Sequence, residues 1–160
     1  MTTMYRIAWV ALVLLVGIGL CAGSGGAAMV KLTLEQLTAD AETIVRGTVT
    51  SQVSAWNAER TAIYTDVTLA VEEALKGSPG ATVTFRIAGG VVGDIGMRTS
   101  NDPVFQNGEQ VVVFLSTRDA TARVVGLGQG KYTVKGGRVT RDGQTVSVGD
   151  FAAAIRAAAR

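Results

Sequence analysis

The sequence predicts a mainly β fold, an antiparallel barrel or sandwich with a short N-terminal helix and a C-terminal helix. Three observations carry that reading. From Ile44 to Arg141 the apolar residues repeat every second position or run continuously, in about seven short segments separated by glycine-rich or polar turns. Helical spacing is confined to the two ends of this region, near Leu34 and near Phe151. No internal repeat interrupts it, and the only biased stretch is an alanine-rich tail.

Thr33-Leu34-Glu35-Gln36 reads as a capping box, with Thr33 as N-cap and Gln36 reaching back. A helix from about Leu34 to Ala39 follows, with Leu34 and Leu37 toward the core. At Thr43 the period changes to two, and Ile44 to Val53 is a half-buried strand with Gly47 as a bend or bulge. Trp56 to Arg60 is a polar turn. Ile63 to Glu72 alternates cleanly, with Ile63, Thr65, Val67, Leu69 and Val71 on one face. Leu75 to Gly80 is a loop, and Val83, Phe85 and Ile87 mark the next strand. Val111 to Leu115 is a continuous apolar run and so a central strand. Arg123 to Leu127 is another strand, and Lys131 to Lys135 and Arg138 to Arg141 flank a Gly136-Gly137 hairpin turn. Asp150 caps the last helix, about Phe151 to Ala159.

The segment Gly89 to Gly108 fits neither period. It holds five glycines and one proline. A loop this long in a compact domain is uncommon and is often functional.

Residues 1–28 read as a secretory signal peptide. Arg6 gives a charged start, Ile7 to Ala22 is a 16-residue apolar run, and Gly23 to Ala28 are small, suiting cleavage after Ala28. Two alternatives remain: an uncleaved membrane anchor, for which the run is short and broken by Gly17 and Gly19, and a lipoprotein site at Cys21, which is preceded by Leu20 instead of a small residue. Residues 29–160 then form a single β-barrel domain acting outside the cytoplasm, secreted or in the periplasm or cell envelope.

Composition excludes several chemistries. The chain has no histidine, and its one cysteine, Cys21, lies in the leader. Disulfides, thiolate catalysis, Cys/His zinc sites and histidine-based triads are therefore excluded from the domain. Without Arg6 there are 14 Lys and Arg against 13 Asp and Glu, a net charge of +1. Met29–Met97 carries −3 and Arg98–Arg160 carries +4, and neither half resembles a nucleic-acid footprint.

The motifs that suggest ligands fail on inspection. Gly126 to Lys131 lacks the first phosphate-loop glycine, where Val125 stands, and Tyr132 replaces the required hydroxyl residue; a strand-linking turn is the better account. Gly89 to Gly96 has no G-x-G opening and no helix after it. Glu72 and Glu73 are adjacent on a strand, so they point to opposite faces and read as solvated edge charges. Asp94 and Asp102 are too few carboxylates for a calcium site.

Ala39 to Val49, then Ile63 to Leu69, then Ala74 to Gly77, together with Phe105 to Leu115 and Val125 to Tyr132, resemble a family of small exported bacterial proteins of unassigned function. The likeness spans most of the mature chain. The first half also resembles, more distantly, the OB-type barrel of metalloproteinase inhibitors and netrin-like modules, which implies an OB-like antiparallel barrel. That inhibitor family chelates zinc through an N-terminal cysteine and ties its barrel with disulfides. The mature chain has neither, so the resemblance supports the fold and not zinc-directed inhibition.

The function expected is an exported non-catalytic binding or interaction module with a protein partner. The alternatives are an inhibitor-like or accessory domain for a secreted hydrolase, and a carboxylate-dependent hydrolase. No catalytic residue, cofactor or metal is assigned. The candidate partner contacts are Val91, Val92, Asp94 and Ile95 of the long loop, with Trp56 and Tyr64, which flank one turn. N-terminal sequencing of the exported protein should begin at or near Met29; a full-length chain in the membrane fraction would identify an anchor instead.

Overall fold

Thr33 starts the first helix, α1 (Leu34–Asp40), as the capping box predicts. The Gln36 N–H donates to the Thr33 hydroxyl at 3.2 Å, and the Thr33 N–H donates to the Gln36 side-chain oxygen at 2.8 Å. Two of the helix's unpaired donors are thereby satisfied. The computed structural model describes residues 30–141 and 143–160, so the signal peptide expected at residues 1–28 lies outside the described residues. Residues Lys31–Arg160 form one compact unit. Among the described residues no helix is long and apolar enough to cross a membrane.

After α1 the chain is almost entirely β. The strands are β1 (Thr43–Trp56), β2 (Ile63–Lys76), β3 (Thr82–Ala88), β4 (Gly90–Val92), β5 (Ile95–Met97), β6 (Gln110–Arg118), β7 (Thr121–Val124), β8 (Lys131–Lys135), β9 (Arg138–Arg141) and β10 (Gln144–Ser147). Helix α2 (Val148–Ala158) ends the chain. Eight strands form one antiparallel sheet in the order β10-β9-β8-β6-β1-β2-β3, with β7 also paired to β6. The sheet curls into a half-barrel, and β4 and β5 form a separate two-stranded hairpin.

Around β6 the sheet is buried on both faces. Val45, Val49, Val67, Leu69, Val111 and Val113 fill the concave side with Phe85 and Phe105. Ile44, Val112, Phe114 and Tyr132 lie on the other side, under Leu37 of α1 and Phe151 and Ile155 of α2. Strand β6 serves both layers, so Val111 to Leu115 are all at most 2% exposed. That double burial is why the run is continuously apolar where β2 alternates.

Gly47 is the bulge that the sequence suggests. The β1–β2 register shifts between Arg46 and Gly47, and a Cβ at Gly47 would collide with the Ala70 carbonyl oxygen. Further shifts beside Ile44 and Val49 bend this long hairpin around the core.

Several boundaries differ from expectation. Leu75 and Lys76, expected in a loop, still belong to β2: Leu75 is buried under the helices, and the Lys76 ammonium donates to the Thr38 carbonyl at 2.6 Å. The turn after β1 begins at Asn57, and Trp56 pairs with Ile63 as the last residue of the strand. The strand expected over Arg123–Leu127 is Thr121–Val124, and Leu127–Gly130 is a 3₁₀ turn. Helix α2 starts at Val148, not Phe151. Ser147 is its cap, accepting the Asp150 N–H at 3.0 Å, so Asp150 lies inside the first turn. β10 was not expected, because Gln144–Ser147 carries one apolar residue, Val146, and is placed by pairing with β9.

Phe114→Ala should cost about 3–5 kcal/mol in urea unfolding, because the ring is fully buried against Tyr132 and the helices. A loss below about 1 kcal/mol would contradict a central β6.

Candidate functional site

The long segment from Gly89 to Gly108 is not a featureless loop. Its first part is the β4–β5 hairpin, in which Val91 pairs with Gly96 and Val92 with Ile95. Its periodicity is invisible in sequence because each strand has only three residues.

Gly89 and Gly90 position this hairpin over one end of the half-barrel. The Gly89 N–H donates to the Ile63 carbonyl at 2.8 Å, and the Thr65 hydroxyl donates to the Gly89 carbonyl at 2.7 Å. The Ser54 and Thr65 hydroxyl oxygens lie 2.8 Å apart. Thr65 has spent its only proton on Gly89, so Ser54 is the donor in that pair. Both glycines have positive φ, +86° and +139°, and a Cβ on Gly90 would run into the Ser54 and Thr65 hydroxyls. Only glycine allows so close an approach here.

A cleft of about 460 Å³ lies at this mouth of the barrel. Gln52, Ser54, Thr65, Arg98, Thr99 and Asp102 contribute its polar lining, and Ile87, Val91, Met97, Val104 and Phe105 its apolar lining. Val91 is 66% exposed and Val104 53%, so two large apolar side chains stand free at the opening.

The Val104–Phe105 wall is braced from behind. The Lys131 ammonium lies 4.6 Å from the Phe105 ring centroid, donates to the Val104 carbonyl, and contacts both Glu109 carboxylate oxygens at 2.7 and 2.8 Å. Thr133 donates to the same carboxylate at 2.6 Å, and the Gln106 N–H at 3.1 Å. Burial by itself raises the Glu109 carboxyl. The hydrogen bonds from Lys131 and Thr133, the Lys131 charge and the Gln106 N–H outweigh it, and the group sits below the ordinary carboxylate range.

The six candidate contacts do not form one surface. Val91 lines the mouth cleft; Val92 and Ile95, paired with each other, lie on the opposite face of the hairpin, and Asp94 is in its turn. Trp56 pairs with Ile63 and Tyr64 with Ala55, which puts the two aromatic residues on opposite faces of the β1–β2 ribbon. They cannot share a ligand. Tyr64 instead has Arg86 and Arg123 near its ring, at 5.9 and 6.0 Å from the centroid.

The turn between β1 and β2 is organised by Asn57, whose side-chain oxygen accepts the N–H groups of Thr61 and Ala62 at 2.8 and 3.0 Å. Glu72 and Glu73 are solvent-accessible as expected, but they do not lie on an edge strand. β2 is an interior strand, and the bulge beside Gly47 turns both carboxylates to Arg46, at 3.7 and 3.4 Å. Glu72 also accepts from Thr48 and Gln110 at 2.6 Å, and Glu73 pairs with Arg156 of α2. Among the described residues no group of three or more acidic, histidine or cysteine side chains is arranged to hold a metal.

Sequence reasoning missed Lys131, Glu109, Ser54 and Thr65. The nearest signal was the Ser54 and Thr65 hydroxyls among apolar neighbours; the Glu109–Lys131 separation gives none.

Because the Glu109 carboxyl is lower in the folded than in the unfolded chain, its contribution is present above the unfolded value and is lost as pH falls through the folded one. Urea unfolding from pH 7 to pH 3 should show wild-type stability declining in acid, below about pH 4.5. Glu109→Gln should start less stable at neutral pH and decline less steeply. Parallel curves for the two proteins would refute the assignment.

No family model, no curated protein and no solved structure matches this chain.

Proposed function

We propose that this chain is a non-catalytic binding module acting outside the cytoplasm, and that its mouth cleft receives an apolar group of a protein partner. One observation carries the reading: Val91 and Val104 stand exposed at a cleft with buried Phe105 in its wall. Exposed apolar side chains gathered at a concavity are a recurrent mark of interaction sites.

The framing of the cleft supports the same reading. The Ser54–Thr65–Gly89 hydrogen bonds hold one side, and the Glu109–Lys131 pair holds the other. A site held rigid before binding loses less conformational entropy when the ligand arrives. The acidic residues support binding over hydrolysis: Glu72, Glu73 and Glu109 are engaged by arginine or lysine, and the cleft lining holds a single carboxylate, Asp102, which accepts the Thr99 hydroxyl and has no second carboxylate in the lining to share acid–base work. The extracytoplasmic placement rests on the leader sequence alone.

Val91→Asp should abolish capture of the partner from the extracytoplasmic fraction and leave thermal stability nearly unchanged, since Val91 is exposed. Ile95→Asp, on the other hairpin face, should weaken capture less. Capture unaffected by Val91→Asp would place the binding surface elsewhere; unfolding of that variant would show Val91 to be a packing residue.

A further inference from the structure

The half-barrel has a seam where β3 and β7 pack side by side. β3 pairs only with β2 and β7 only with β6. The two strands stand too close for another chain to enter between them, so the seam offers a ligand side chains and not backbone. A cleft of about 300 Å³ lies along it, with Arg86, Ser116, Arg118, Arg123 and Leu127 among its walls. Phe85 and Val124 belong to the inner core, so their neighbours Arg86 and Arg123 project outward. Ser116 is opposite Arg123 and Arg118 opposite Thr121, which puts Ser116 on the same face as the two arginines, themselves diagonal neighbours.

The three arginines are unequally compensated. Arg86 is neutralised: its Nε and Nη2 donate to the Asp66 carboxylate at 2.7 and 2.8 Å. The Tyr64 ring lies between Arg86 and Arg123, with the two guanidinium carbons 5.9 and 6.0 Å from its centroid. Among the described residues, the Arg118 and Arg123 guanidinium groups and the Ser116 hydroxyl make no hydrogen bond or ion pair. Asp102 also lines the cleft, where it accepts the Thr99 hydroxyl, and Asp119 follows Arg118 in the turn. Two uncompensated guanidinium groups beside a cleft favour an anion.

The number of unclaimed donors narrows the anion. A carboxylate has two oxygens, which one planar fork already occupies. It would leave the second arginine and Ser116 without a partner. A terminal phosphate group has three acceptor oxygens and a charge of about −1.5 to −2 at pH 7. It can take both forks and the hydroxyl together, and two arginines match its charge. Leu127, 44% exposed, adds an apolar wall for whatever the phosphate esterifies.

We propose that the seam binds a terminal phosphate group through the side chains of Arg118, Arg123 and Ser116. This site does not depend on the apolar reading of the mouth cleft, although Ile87, Ala88, Asp102 and Pro103 border both clefts.

The test titrates phenyl phosphate into the full chain at fixed ionic strength and follows backbone and arginine side-chain N–H chemical shifts. The Arg118 and Arg123 Nε–H signals and the Ser116 amide should move together and saturate. Benzoate should bind about tenfold or more weakly, since it lacks the third oxygen. The double variant Arg118→Gln, Arg123→Gln should lose the saturable response at unchanged melting temperature, because both side chains are exposed. Val91→Asp should respond as wild type does. Inorganic phosphate and phosphatidic acid vesicles separate the sources. Inorganic phosphate binding as tightly as phenyl phosphate supports a site for the free ion; tighter binding of phenyl phosphate or of the vesicles supports an esterified group. The proposal is overturned if benzoate binds as tightly as phenyl phosphate, if the double variant binds as well as wild type, if the shifts never saturate, or if Val91→Asp abolishes them.

Discussion

Val111 to Leu115 of β6 are buried on both faces, and the rest of the molecule is arranged around that constraint. One face must be covered by a curled sheet, the other by separate elements. β1 pairs along β6 and contributes Val45 and Val49 to one layer and Ile44 to the other. The two helices, far apart in sequence, meet over Phe114 and Tyr132 because that face has no other cover. A barrel with a wet outer surface would not need them. With no disulfide to close loops, this two-layer burial is the main source of stability.

Curling has two consequences for function. It opens a mouth, where the chain leaving β3 must turn across the barrel end. Gly89 and Gly90 make that turn and press the hairpin onto the Ser54 and Thr65 hydroxyls. It also leaves a seam, because β3 and β7 approach without exchanging ladder bonds. The mouth cleft and a smaller cleft at this seam come from the same geometry. The mouth mixes apolar side chains with Arg98 and Asp102, and the seam carries Arg86, Arg118 and Arg123. The positive bias of the second half of the chain is partly located at the seam, in Arg118 and Arg123.

The Glu109–Lys131 pair connects core and mouth. Lys131 begins β8, Glu109 precedes β6, and Phe105 reaches inward to meet Phe85 at 5.1 Å. One ammonium satisfies a carboxylate, a backbone carbonyl and an aromatic face at once. The pair is partly buried, with side chains 13% and 16% exposed, so solvent screens it less than a surface pair. It holds the last part of a glycine-rich segment that has few other ties.

The sequence by itself determined the class of fold, the Thr33 cap, the bulge at Gly47 and the centrality of β6, because each depends on neighbours within a few residues or on a local period. It also excluded imidazole chemistry from the chain, and thiol chemistry from residues 30–160, by composition. It singled out Val91 and Tyr64 but grouped them with residues they do not meet: hairpin register divides Val91 from Val92 and Ile95, and strand alternation divides Trp56 from Tyr64. Only the tertiary structure decided which side chains share a site. Ser54 with Thr65, Glu109 with Lys131, and Arg118 and Arg123 with Arg86 are brought together by pairing and curling of the sheet. Sheet pairing is long-range and its register is set by burial, so no local spacing encodes those meetings.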